Sequence, residues 1–285
     1  MGDKTEREEL FQKSIASDAE RARFAESWAL MINEVLPEET SVRNIFTVEN
    51  IPAGAVPIYT NDVQPISAWY LPKFGQVPQN IVEIDEVTVP TFELMGDVEY
   101  KIRDAKHARI SIADRAMMRL KDSMIEQEEE AGWALLRAAS SGSAISVSGA
   151  TGLTKAVVDQ AWRTMETNRG YRVTDIYVSP SGMADLRGWT QTTIDPVTQR
   201  EIFVNAGMPS IYGAQIHVVH FLASTEAYFI DATPNKLGFM PVRDELQTFD
   251  DPVAIKKFRV GVLAREEIGF VVMDSNAIVA ATLSY

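Results

Sequence analysis

Ser111-Ile-Ala-Asp-Arg-Ala-Met-Met-Arg-Leu-Lys-Asp-Ser-Met-Ile-Glu-Gln-Glu-Glu-Glu-Ala-Gly-Trp-Ala-Leu-Leu-Arg-Ala-Ala-Ser140 reads as one uninterrupted helix. Ser111 is a capping residue, and Asp114 three positions on is a shorter capping partner. Ala113, Met117, Leu120, Met124, Ala131, Leu135 and Ala138 fall three, four or seven apart and mark one apolar stripe. The run from Glu126 to Glu130 is expected to face outward. Neighbouring residues on a helix diverge, so this run is read as a solvated face and not as a set of metal ligands. At 1.5 Å per residue the helix is about 45 Å long. In a chain of 285 residues, that length implies a spine across which other elements lie.

Upstream of the helix the texture changes twice. Residues 5–36 carry Leu10, Phe11, Ile15, Phe24, Trp28, Met31, Ile32 and Val35 at mostly helical spacing, and Pro37 stops the pattern. This helix either covers its own domain or is an arm that docks on a neighbour. From 37 to 90 there are seven of the 13 prolines, which exclude helix and central sheet. Trp69, Tyr70, Leu71 and Phe74 lie on this proline-punctuated stretch. Apolar residues on a long loop need a partner, and a neighbouring subunit supplies one. Residues 81–110 are strand-like, and an extended hairpin built from 55–75 and 80–105 is expected.

Downstream, Ser140-Ser-Gly-Ser and Ser148-Gly-Ala-Thr-Gly152 bracket a flexible junction and the best domain boundary. The glycines lack the spacing of a phosphate loop. Beyond it come a helix over 153–168, a strand over 175–179, and a short helix from Pro180 to Arg187. A polar loop at 189–210 precedes strands at 215–219 and 227–230. Three further strands are expected at 253–262, 265–273 and 276–283, joined antiparallel by tight turns at Leu263-Ala264 and Asp274-Ser275. The fold class is α+β.

Composition removes several function classes. There are no cysteines and only His107, His217 and His220, which excludes thiol chemistry and leaves little for histidine chemistry. His217 and His220 are three apart on a strand, point to opposite faces, and do not share a metal. Ser179 and Ser181 stand at a strand-to-helix turn, but the Gly-x-Ser-x-Gly pattern of a nucleophile elbow is absent. The net charge of −13 repels nucleic acid, and Lys256-Lys257-Phe258-Arg259 is the densest basic stretch. No stretch has the roughly 18 consecutive apolar residues that span a bilayer. The acidic N-terminus does not resemble a secretory signal, and Glu6 stands where a myristoylation motif wants Ser or Thr. No catalytic, cofactor or metal residues are expected.

The order of parts resembles the major capsid proteins of tailed bacteriophages, the Hong Kong 97-type fold, over nearly the whole chain. The resemblance is carried by Asp175-Ile-Tyr-Val-Ser-Pro, Ile211-Tyr-Gly-Ala-Gln-Ile-His-Val, Tyr228-Phe-Ile-Asp231 and Phe258-Arg-Val-Gly-Val-Leu-Ala-Arg-Glu-Glu-Ile-Gly-Phe-Val-Val-Met-Asp-Ser-Asn-Ala-Ile-Val279. It implies an arm at 1–50, an extended loop and the start of a peripheral domain at 51–110, and a spine helix at 111–144. It further implies an axial domain at 145–235 and a return to the peripheral domain at 236–285. Phe24, Trp28, Trp69, Tyr70, Lys73 and Phe74 would then be inter-subunit contacts. The implied function is self-assembly into pentamers and hexamers of an icosahedral head around double-stranded DNA, in the host cytoplasm and without a membrane. Some relatives crosslink subunits through a Lys–Asn bond. Lys73 lies in the right kind of loop, but no matching Asn or Glu is found. The length leaves no room for a built-in scaffolding segment, so a separate scaffolding protein and a portal are expected, with a decoration protein as an option. The alternatives are an encapsulin-like nanocompartment, a serine hydrolase built around Ser181, and a tail or adaptor protein.

Overall fold

The computed structural model describes residues 25–26, 28–29, 32, 40–52, 54–61, 85–101, 103, 112–147, 150–189, 210–250 and 259–285. Its helices are α1 (Ser41–Ile45), α2 (Ile112–Ser140), α3 (Lys155–Trp162, continued by a π-helical stretch Arg163–Arg169) and α4 (Pro180–Arg187). The strands are β1 (Thr47–Asn50), β2 (Ile58–Asn61), β3 (Asp85–Thr88), β4 (Phe92–Lys101), β5 (Asp175–Val178) and β6 (Ser210–Ile211). They continue with β7 (Ala214–Val218), β8 (Glu226–Ile230), β9 (Gly238–Asp250), β10 (Arg259–Ile268), β11 (Val271–Val272) and β12 (Ile278–Thr282). One sheet runs β1-β9-β10-β4, with β11 also on β9. A second runs β12-β8-β5-β7-β6, and β2 and β3 form a separate antiparallel pair.

Helix α2 joins the two large sheets, and its burial pattern shows how. Its first half sets Ala116, Leu120, Met124 and Ile125 against Tyr100, Val260, Val262 and Ala264 of the first sheet. Gly96 of β4 lets it come close, since a Cβ there would lie 2.6 Å from Leu120. Its second half puts Trp133 and Leu136 into a core shared by both sheets, among Tyr177, Tyr228, Met240 and Ile268. A third core lies under α3 and α4 and is built from Leu153, Val158, Leu186, Ile176 and Phe229.

The stripe expected from spacing therefore drifts. Leu120 and Met124 are buried, but the line continues through Glu128, Glu129, Gly132, Trp133, Leu136 and Ser140, while Ala138 is exposed. Glu128 and Glu129 do not face outward: they are 0% and 2% exposed. Helical geometry puts them there, four residues after Met124 and Ile125.

The closing strands also differ from expectation. Residues 259–268 form one continuous strand with no turn at Leu263-Ala264. A two-residue hairpin turn needs positive φ, which Leu and Ala disfavour. Strand β9, which the sequence reading did not contain, fills the middle of the first sheet between β1 and β10. Asp274 caps a short 3-10 turn by accepting from Asn276 N at 2.7 Å. That turn carries the chain out of the first sheet, so β12 pairs with β8 in the second. The last strand therefore does not fit a boundary drawn at 236.

Candidate functional site

Of the expected hairpin from 55–75 and 80–105, the described residues pair only at its base; residues 92–101 of the second arm are β4 and pair with β10 instead. β2 and β3 pair antiparallel with Ile58 opposite Thr88 and Asn61 opposite Asp85, and residues 62–84 lie between them in sequence. The base is tied to the first sheet by several independent contacts. Tyr59 stacks on Phe239 of β9 at 4.6 Å between ring centres. Arg243 donates to Ala55 O at 3.0 Å and pairs with Glu267 at 2.5 Å, and Thr91 donates to the same Glu267 oxygen at 2.6 Å. Val56 and Ile58 remain more than half exposed beside it.

The second notable arrangement is a buried ionic junction where α1 meets α2 and β10. Glu129 accepts from the backbone N–H groups of Ser41 and Val42, from Ser41 Oγ at 2.6 Å, and from Trp133 Nε1 at 2.8 Å. Side by side with it, Glu128 takes a two-pronged bond from Arg43, Nε to Oε1 at 2.7 Å and Nη2 to Oε2 at 3.0 Å. Arg43 Nη2 also reaches Glu266 of β10. Around Glu266 the β9–β10 register shifts twice, between Arg265 and Glu267 and between Glu267 and Ile268. Such irregularities re-aim a side chain, and here the side chain is a carboxylate turned into the core. Burial pushes the Glu128 carboxyl up to about 7 against the pull of Arg43, with Glu266 and Glu129 adding to the rise. Burial raises Glu266 as well, again against Arg43. The signal available in the sequence was the register of Glu128 and Glu129 on the α2 stripe. Arg43, the partner of Glu128, lies 85 residues before it, and Ser41, a partner of Glu129, lies 88 before that one, so no local pattern links them.

The residues singled out from sequence fare unevenly. Trp28 is 3% exposed and packs in its own chain's core with Leu120, Met124 and Val260. Within the single chain, this side chain follows the covering one of the two readings of residues 5–36. Phe24, Trp69, Tyr70, Lys73 and Phe74 lie outside the described residues. Ser179 is buried and caps α4, accepting from Gly182 N at 3.2 Å, while Ser181 sits exposed on the first turn. His217 holds Asp175 at 2.8 Å and stacks on Tyr177. Burial raises the Asp175 carboxyl, but the bonds from His217 and Thr174 outweigh it and its pKa falls. Among the described residues no three His, Asp or Glu gather as metal ligands, and no helix is long and apolar enough to cross a membrane.

One exposed aromatic was not anticipated. Tyr212 and Gly213 form the two-residue turn between β6 and β7, with φ of 51° and 87°. A left-handed tyrosine is uncommon. It is held by a bond to Asp159 at 3.0 Å and an edge contact with Trp162 at 5.4 Å, yet stays 57% exposed.

Two sheets bridged by one long helix, with a hairpin base anchored on the first, define the architecture. The sequence model of the phage capsid protein family matches residues 97–281, and the chain belongs to that family. The fold is likewise that of known capsids. The cyanophage P-SCSP1u capsid shares 13% identity, with 86% of this chain and 88% of that one covered at a TM-score of 0.66. The capsid of a native GTA particle computed with C5 symmetry shares 15% identity over 86% and 90%, at 0.63. Microbacterium phage Oxtober96 shares 12% over 86% and 90%, at 0.65. No curated protein sequence matches this one significantly.

Proposed function

We propose that the chain is the major capsid protein of a tailed phage with the Hong Kong 97-type fold, and that it assembles into pentamers and hexamers of an icosahedral head. The observation that carries this reading is the family match over residues 97–281, which spans α2 and most of both sheets that it bridges. In this reading the first sheet with α2 is the peripheral domain, and the second sheet with α3 and α4 is the axial domain. β12 belongs with the axial domain because it pairs with β8. The extended loop, within residues 51–110, reaches a neighbouring subunit. Trp69, Tyr70, Lys73 and Phe74 are its contacts, and Phe24 is a contact of the N-terminal arm. The shell encloses double-stranded DNA without gripping it, in keeping with a net charge of −13. Assembly takes place in the host cytoplasm, with a separate scaffolding protein and a portal.

Negative-stain electron microscopy of the expressed protein, with light scattering on the same sample, tests the shell. Rings, tubes or closed particles are expected; a monomer that persists on co-expression with its genomic neighbours refutes it. Closed particles of uniform size from this chain alone would remove the need for a scaffolding protein. For the loop, Trp69→Ala is expected to leave the subunit folded and impair assembly, and an unfolded subunit would contradict that role.

A further inference from the structure

The junction around Arg43 has an unbalanced charge. One guanidinium faces two carboxylates, both 0–1% exposed, and Glu129 adds a third negative group beside them. Glu129 is saturated by donors from α1 and Trp133. Both oxygens of Glu128 accept from Arg43. Glu266 differs: Oε1 accepts from Arg43, but Oε2 is buried without a hydrogen-bond partner among the described residues. Across from it, Glu245 of β9 contributes more negative potential and itself accepts from Asn50 at 3.1 Å. The charged groups facing the cluster are thus Arg43 from α1, Glu128 and Glu129 from α2, Glu266 from β10 and Glu245 from β9. A buried oxygen that lacks a donor, in a cluster with surplus negative charge, is a place for a proton.

We propose that Glu128 and Glu266 share one proton beside Arg43, and that this proton is the catch of a latch fastening α1 to α2 and the first sheet. With the proton bound, one carboxylate balances the guanidinium. Without it, Glu128 and Glu266 set two negative charges against the one guanidinium, and the attachment of residues 41–46 weakens. The two carboxyls titrate as a pair, so the proton belongs to both. The direction follows from linkage. The folded pKa of Glu128 lies near 7, above its ordinary 4.5. The stabilisation is complete below the ordinary value and is lost as pH rises through the folded one. The latch therefore holds in acid, weakens as pH rises from the ordinary carboxyl value toward 7, and weakens no further in alkali. It concerns the subunit alone and stands apart from the assignment of the loop contacts.

Hydrogen exchange of the full-length, unassembled chain at about pH 5 and about pH 7.5, corrected for intrinsic rates, tests it. Protection of the Val42 to Phe46 amides is expected to fall about tenfold per pH unit between about 5 and 7 and to level off above 7, where the folded state has already lost the proton. Amides of β5 and β8 serve as the reference and stay unchanged. Glu266→Gln keeps an acceptor for Arg43 and removes the surplus charge, so its protection should be the same at both pH values. Should that variant not fold, Glu128→Gln makes the same test. Wild-type protection that does not change with pH overturns the proposal, as does a pH dependence that survives in the glutamine variant.

Discussion

The junction around Arg43 and the core under α3 and α4 are equally dry and are built from opposite materials. Thr40, Glu128, Glu129 and Glu266 are four of the seven buried polar or charged residues among those described, and all four sit at the junction. The other core is Leu153, Val157, Val158, Met165, Ile176, Leu186 and Phe229 packed on one another. Apolar packing is non-directional and tolerates exchange of similar volumes. Hydrogen-bonded charges are directional, and a half-satisfied set costs more than none. The contrast indicates that the second sheet needs only to be filled, whereas α1 must sit at one place on α2.

The largest effect should come from cutting the junction at its most connected atom pair. Glu129→Ala removes the acceptor of Ser41 N, Ser41 Oγ and Val42 N, and one of the two acceptors of Trp133 Nε1. A loss of about 3–5 kcal/mol is expected in urea unfolding, the cost of breaking a buried charged set. Glu129→Gln should recover part of it. A loss below about 1 kcal/mol would mean that the junction is no more directional than a greasy contact.

The apolar core should answer differently to the same treatment. Leu186→Ala, at a position with no exposed surface, is expected to cost about 3 kcal/mol through transfer and cavity terms. Leu186→Met should cost less than about 1.5 kcal/mol, because volume is conserved. If the methionine variant is as damaging as the alanine one, this core is as position-specific as the junction and the contrast collapses.

What the sequence disclosed follows the same division. Elements set by local chemistry were legible: α4 from Pro180 to Arg187, and α2 within one residue of its ends. So were β5, β7 and β8, whose Val, Ile and aromatic residues are short apolar runs. Strand β9 was not, because Pro241, Arg243, Asp244 and Glu245 interrupt any alternation, and its register slips twice against β10. Glu128 and Glu129 were misread because charge was taken to mean solvent. Their satisfaction depends on Ser41 and Arg43, more than 80 residues away, and only folding brings such partners together. The loop residues from Trp69 to Phe74 were proposed from the proline-punctuated stretch and the family resemblance, and lie outside the described residues.

A smaller prediction sharpens how closely the junction fits. A Cβ on Gly132 would lie 2.5 Å and 2.7 Å from the two γ-carbons of Val42. Gly132→Ala gains about 1 kcal/mol in helix propensity but should lose about 1–3 kcal/mol to overpacking, for a modest net destabilisation. Val42→Ala in the same chain should relieve the overpacking, so the pair is non-additive in a double-mutant cycle. Additive effects would show that α1 slides away from α2 at little cost, against the fixed seat inferred from Glu129.

The smallest expected change lies at Tyr212, on the rim of the second sheet. Replacement by Asn puts a residue suited to the left-handed region into a two-residue turn. Relief of backbone strain is worth about 1 kcal/mol. Against it stand the lost bond to Asp159 and the lost edge contact with Trp162, together about 1–2 kcal/mol. The two nearly cancel, so Tyr212→Asn should shift subunit stability by less than about 1 kcal/mol in either direction. A loss of several kcal/mol would make Tyr212 a structural pin that ties β6 and β7 to α3. A subunit of unchanged stability that assembles poorly would instead show that the strain is kept for a contact outside the chain, where a ring 57% exposed is available to it.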